Sequence, residues 1–142
     1  MDEDTFCLLV ERVMKRLPPA FLNHLDNVVV DVERYPDEKT LKYAGLTTNE
    51  IEAGETLFGL FVPFHAGQSW DGTTIDPDDA PNRLIIYREP LVEAFPDPKI
   101  LRIEIRKTVI HELAHHFGWT DRDLESFDDK KNPFPDDIFE DI

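Results

Sequence analysis

The sequence contains a single cysteine, Cys7, among its 142 residues. One cysteine cannot form an internal disulfide or a cysteine-based zinc site, so a bound metal would need histidine or carboxylate ligands. No apolar run approaches the ~18 residues of a transmembrane helix. The N-terminus is acidic over residues 2–4, whereas a secretory signal begins with basic residues. We therefore expect a cytoplasmic protein.

Basic side chains are also scarce. Lys and Arg number 15 against 30 Asp and Glu, which gives a net charge of −15, and neither half of the chain is basic. Nucleic-acid backbones are bound by clustered Lys and Arg, and anionic membrane surfaces are bound by polybasic segments. We expect neither nucleic acid nor a membrane as a partner, and the charge leaves the oligomeric state open.

The apolar residues are sufficient for one folded domain. They make up 41% of the chain, and a domain of this length can bury a core without a disulfide or a metal. Helical spacing predicts a first helix over Phe6–Leu17, with Thr5 as its N-cap. The stretch Ala66–Asn82 is rich in Gly, Pro and Asp and predicts a loop. Short apolar runs predict three strands, at Val28–Val32, Leu57–Val62 and Leu84–Tyr87.

A long helix is predicted from Pro98 to Phe117, with Asp97 as its N-cap and Gly118 at its C-terminal end. Its apolar residues fall on two separate faces, and a helix of this kind is usually buried within a domain. The residues on the first face are Ile100, Ile103, Ile110, Ala114 and Phe117, and those on the second are Leu101, Ile105, Val109 and Leu113. A polar stripe separates the two faces and consists of Glu104, Thr108, His111 and His115. Buried polar groups need partners, so this stripe indicates a functional site.

Two residues of the stripe, His111 and His115, belong to the motif H-E-x-x-H, whose glutamate is Glu112. Residues four apart on a helix face the same way, so both imidazoles can reach one zinc ion, while Glu112 projects beside it as a candidate general base. The motif continues as H-E-x-x-H-x-x-G-x-x-D. Gly118 lets the chain leave the helix, and Asp121 stands where a third metal ligand would be needed.

Other roles for these acidic residues stay open. Asp121 is also a good N-cap for a short helix predicted over Asp121–Phe127, in which case Glu125 is the alternative ligand. Glu104 is expected to be an ion-pair or outer-sphere partner rather than a ligand. The donor that would stabilise an oxyanion is left open among Tyr87, His116 and His65.

These segments resemble the minimal zincin-like metallopeptidases, a family of small bacterial proteins. The resemblance rests on Leu57–Leu60, Arg83–Arg88 and, most specifically, His111–Asp121. The glycine spacing is also similar to that of metzincins, but Asp121 replaces their third histidine and no methionine follows Met14.

The resemblance covers roughly residues 5–127 and implies an α+β fold. We expect a zincin-like single domain, residues 1–127, in which a small mixed sheet packs on a central zinc-binding helix. An acidic C-terminal tail, residues 128–142, would follow it.

The resemblance further implies one Zn²⁺ per chain, held by His111, His115 and Asp121, and hydrolysis of peptide bonds with Glu112 as the catalytic base. A peptide or protein is then the expected substrate, and the strand Leu84–Tyr87 is a candidate sheet edge for binding it. A catalytically silent, metal-stabilised peptide-binding module is the alternative. A zinc-dependent endoribonuclease fits less well, because of Glu112 and the negative charge.

Overall fold

The computed structural model describes residues 1–17, 22, 25, 27–63 and 82–116, with His115 and His116 described by their backbone alone. Nearly all of the predicted loop, Gly118, the short helix at Asp121–Phe127 and the tail at residues 128–142 lie outside these residues, as does Asp121 itself. Within the described ranges, no helix combines the length and apolar character needed to cross a bilayer.

Helices alternate with short strands along the chain. The helices are α1 (Glu3–Lys15), α2 (Glu38–Tyr43), α3 (Thr48–Glu52), α4 (Arg88–Ala94) and α5 (Pro98–His116). The strands are β1 (Val28–Glu33), β2 (Gly59–Val62) and β3 (Asn82–Tyr87).

The three strands form one mixed sheet in the order β1-β3-β2. Strand β3 pairs in parallel with β1, where Val30 lies opposite Leu84, and antiparallel with β2, where Phe61 lies opposite the same residue. The expectation that Leu84–Tyr87 forms a sheet edge is therefore wrong, because this segment is the central strand. In the described part of the chain, β2 has a neighbour on one side only.

The hydrophobic core lies between one face of this sheet and helices α1 and α5, which pack against each other. Alternate residues of β3 reach it, as the two-residue period of a strand requires. Its fully buried side chains include Phe6, Leu9, Leu84, Ile86, Leu91, Ile105, Val109 and Leu113. The result is an α+β single domain with a small mixed sheet packed against helices, as expected from the sequence.

Helix α5 is buried on the two faces that its sequence predicted. Ile103, Ile110 and Ala114 of the first face and all four residues of the second face are buried. Ile100 is an exception, with 47% of its surface exposed, because it lies in the first turn of the helix. Arg102 is buried as well, with 6% exposed, which the apolar pattern did not predict.

Side-chain caps mark the starts of α1 and α5. Asp97 accepts a hydrogen bond from the Lys99 N–H at 2.9 Å, and its carbonyl accepts the first helical bond of α5, which confirms the predicted start. The predicted N-cap of α1 was wrong. Asp2 fills this role and accepts from the Thr5 N–H at 2.8 Å, so α1 begins three residues earlier than expected.

Helix α5 offers a matched pair of isoleucines for testing the core. Replacing Ile105, which is fully buried, with alanine is expected to lower the free energy of unfolding by about 2–5 kcal/mol, because a cavity remains in the core. The Ile100→Ala variant is expected to change it by less than about 0.5 kcal/mol, because that side chain is half exposed. Urea denaturation measures both, and equal effects would contradict the assignment of the core.

Candidate functional site

The polar stripe of α5 lines a groove against the start of β2. The groove has a volume of about 410 Å³. Its helix side is formed by Glu104, Lys107, Thr108, His111 and Glu112, and its strand side by Thr56, Leu57, Phe58 and Gly59. Three of the four residues predicted to form the stripe, Glu104, Thr108 and His111, therefore share one cavity.

Gly59 sets the distance between the strand and the helix. A Cβ atom at this position would lie 2.7 Å from Cγ2 of Thr108 and 3.1 Å from the backbone oxygen of Ile85. Thr108 cannot turn its methyl group away without loss, because its Oγ1 donates a hydrogen bond of 2.8 Å to the Glu104 carbonyl. A residue without a side chain is therefore needed for β2 to lie this close to α5.

This close approach brings Glu112 to the edge of the sheet. The backbone N–H of Phe61 donates a hydrogen bond to Oε2 of Glu112, at an N···O distance of 3.3 Å. The two residues are 51 positions apart in sequence, so the contact depends on the tertiary fold. The predicted general base thus lies beside a strand and faces the same groove as His111.

Along β2, successive residues direct their backbone N–H and C=O groups alternately toward β3 and away from it. Tyr87 N–H donates to the Phe58 carbonyl at 2.9 Å, and Gly59 lies opposite Ile86 in the antiparallel register. In such a ladder, successive residues direct their N–H and C=O groups to opposite sides of the strand. The backbone groups of Gly59 and Phe61 therefore point away from β3, toward the side where Glu112 lies.

Lys107 and Glu104, which both line the groove, form an ion pair. Nζ of Lys107 lies 3.6 Å from Oε1 of Glu104, and only 14% and 23% of the two side chains are exposed. The expectation that Glu104 is an ion-pair partner is confirmed. The helical repeat places Lys107 one turn before His111. Its position near the motif could therefore be predicted from the sequence, although Lys107 is not among the predicted site residues.

The predicted metal ligands are brought together only in part. His111 lines the groove, and the backbone of His115 follows one turn later in the same unbroken helix. Two imidazoles at this spacing fit the donor set that zinc prefers. Within the described ranges, no three His, Cys, Asp or Glu residues cluster closely enough to hold a metal. Asp121 lies outside those ranges, so its role as third ligand stays a prediction.

Tyr87, a candidate oxyanion donor, is not among the residues that line the groove. It lines a second cavity of about 320 Å³ with Arg83 and Ile85. Burial raises the pKa of the Tyr87 phenol to about 12, and the nearby carboxylate of Glu33 adds to this increase. The Glu112 carboxylate also lies near enough to raise this pKa slightly. Of the other two candidates, His65 lies outside the described residues and His116 is described by its backbone only.

Comparison with known proteins identifies a family. The sequence profile of the zincin-like metallopeptidases matches residues 25–131. No curated protein is significantly similar to the chain. Among solved structures, the chain is similar to a conserved hypothetical protein from T. thermophilus, with 24% sequence identity and a TM-score of 0.51. The match covers 88% of this chain and 98% of that one, and at this identity it shows the fold alone.

The contact between Gly59 and Thr108 can be tested by a compensated pair of variants. Gly59→Ala is expected to lower the free energy of unfolding by about 1–3 kcal/mol, because the new methyl group overpacks the interface. Adding Thr108→Ser removes Cγ2 and keeps the hydroxyl group, so it should restore part of that loss. Chemical denaturation of both variants, with Thr108→Ser alone as the control, measures the effect. Absence of any rescue would contradict the contact.

Proposed function

The chain belongs to the zincin-like metallopeptidase family, and we propose that it is a zinc-dependent peptidase. One observation carries the proposal. The carboxylate of Glu112 lies within hydrogen-bonding distance of the backbone of β2. It approaches the edge of β2 that has no neighbouring strand in the described part of the chain. A candidate base and a candidate peptide-binding edge are therefore adjacent.

Zinc would be held by His111, His115 and Asp121, a set of two imidazoles and one carboxylate that leaves a position open for reaction. When bound, zinc lowers the pKa of a coordinated water toward ~7 and polarises the substrate carbonyl. The uninterrupted helix keeps the two histidine backbones one turn apart. The buried faces of α5 hold that helix in place.

Glu112 would move the protons of the reaction. Its carboxylate accepts a proton from the attacking water and then delivers it to the nitrogen of the leaving amine. The hydrogen bond from the Phe61 N–H restrains one carboxylate oxygen, Oε2.

An extended peptide would bind along β2, rather than along the Leu84–Tyr87 strand that the sequence suggested. Strand addition uses unpaired backbone groups at a sheet edge. Gly59 directs its backbone groups to that side. The Phe61 N–H is already engaged by Glu112, so the N–H and the carbonyl of Gly59 would pair with the substrate.

The role of Glu112 is tested by the Glu112→Gln variant. We expect it to keep zinc and to lose hydrolysis by about 10²–10⁴-fold, because glutamine cannot accept the proton. A library of internally quenched peptides, supplied with zinc, measures the activity. Glu52→Gln, an exposed carboxylate outside the groove, is the matched control and should stay fully active.

Full activity of Glu112→Gln would remove Glu112 as the base. Zinc binding without hydrolysis of any peptide by the wild-type protein would favour the silent peptide-binding module instead.

The metal site is tested by elemental analysis of the purified protein. We expect about one zinc per chain, and His115→Ala should lose it because a ligand is removed. His116→Ala is the matched control, since the neighbouring helical position points about 100° away, and it should keep its zinc. No zinc in the wild-type protein, even after zinc is supplied, would contradict the proposed site.

A further inference from the structure

Lys107 is the one lysine or arginine among the described residues that line the groove. Only 14% of its side chain is exposed, although the protein as a whole is strongly acidic. Placing an ammonium group in a groove costs free energy unless it is well hydrogen-bonded. The position of this cation beside the proposed reaction centre therefore needs an explanation.

The ion pair with Glu104 does not satisfy the ammonium group. The distance of 3.6 Å between Nζ and Oε1 exceeds the ~2.7–2.9 Å of a charge-assisted hydrogen bond. A lysine carries three donors in any case. Glu104 holds the ammonium group over the groove and leaves donors for a second oxygen ligand.

The direction of a bound peptide decides which part of it meets Lys107. Gly59 lies over Thr108, and Phe61 contacts Glu112, so β2 runs alongside α5 in the same direction. Antiparallel pairing of strands is more stable per residue than parallel pairing, and a peptide paired in this way with β2 runs opposite to α5. Its residues on the C-terminal side of the scissile bond then extend from Glu112 toward Lys107.

The spacing along the helix gives the position of Lys107 relative to the scissile bond. Lys107 precedes His111 by four residues, which is about 6 Å along a helix axis. An extended peptide covers about 3.3 Å per residue. The ammonium group is therefore about two residues away from the scissile bond.

We propose that Lys107 is a specificity-determining residue, which binds a carboxylate of the substrate about two residues beyond the scissile bond on its C-terminal side. The inference rests on the proposed peptidase function. The carboxylate belongs either to an acidic side chain or to the C-terminus of the substrate. Glu104 competes for the same ammonium group and so weakens the preference.

The experiment uses matched peptides that are cleaved at one bond. Glu or Gln occupies the first, second or third position after that bond, and each peptide is made with a free and with an amidated C-terminus. The wild-type protein is expected to favour Glu over Gln by about tenfold in kcat/KM, mainly through KM, as expected for a partly buried charged hydrogen bond. A preference confined to free termini would identify the chain end as the source of the carboxylate.

Four variants separate this role from a structural one. Lys107→Met should abolish the preference, and Lys107→Arg should retain it. Glu104→Gln should strengthen it, because the competing carboxylate is removed, whereas a merely structural ion pair predicts no gain. Lys99→Met is the matched control, an exposed lysine of the same helix outside the groove, and should behave as the wild type.

Binding to the Glu112→Gln variant provides a readout that does not need catalysis. Fluorescence anisotropy with the same labelled peptides should show the preference for the carboxylate, and adding Lys107→Met should remove it. If the wild type cleaves peptides without regard to this charge, the role of Lys107 is overturned and the peptidase stands. If nothing is cleaved but binding shows a Lys107-dependent preference, the peptidase fails, and Lys107 remains a carboxylate-binding residue of a peptide-binding module. Equal binding of all peptides would overturn the role of Lys107.

Discussion

Strand β2 can lie against helix α5 only because residue 59 has no side chain. The Cγ2 atom of Thr108 occupies the space that a Cβ would need. Every other feature of the site depends on this approach, because it brings the Phe61 N–H within 3.3 Å of Glu112 and closes one side of the groove. The helix cannot move away to relieve a clash, since both of its flanks are buried in the core.

Local signals predicted the elements of the fold better than their arrangement. The start of α5 followed from Asp97, and its burial followed from the spacing of its apolar residues. The capping box at Thr47 and Glu50 marks α3 just as clearly, and it was overlooked. Strand order is not a local property. The unbroken apolar run Leu84–Tyr87 is typical of a strand covered on both faces, but coverage of the faces does not determine which strands lie beside it in the sheet.

The site was predictable where it depends on side chains at helical spacing. His111 and Glu112 follow from the motif, and Glu104 follows from the polar stripe that it shares with His111. Phe61 contributes only its backbone N–H to the site. Every residue type except proline has this group, so the sequence could not show that residue 61 contacts Glu112. The charge of Lys107 is visible in the sequence, but its place in a groove depends on where β2 lies.

The groove is built from two distant stretches of the chain, and this has a consequence for biosynthesis. One wall comes from residues 56–59 and the other from residues 104–112. During translation, residues 56–59 are synthesised before residues 104–112. Contacts between segments so far apart in sequence form slowly, because a long loop must close first. Until α5 has docked, the nascent chain carries the motif without the groove. The contact between Glu112 and the edge of β2 thus arises only once α5 has packed against that strand.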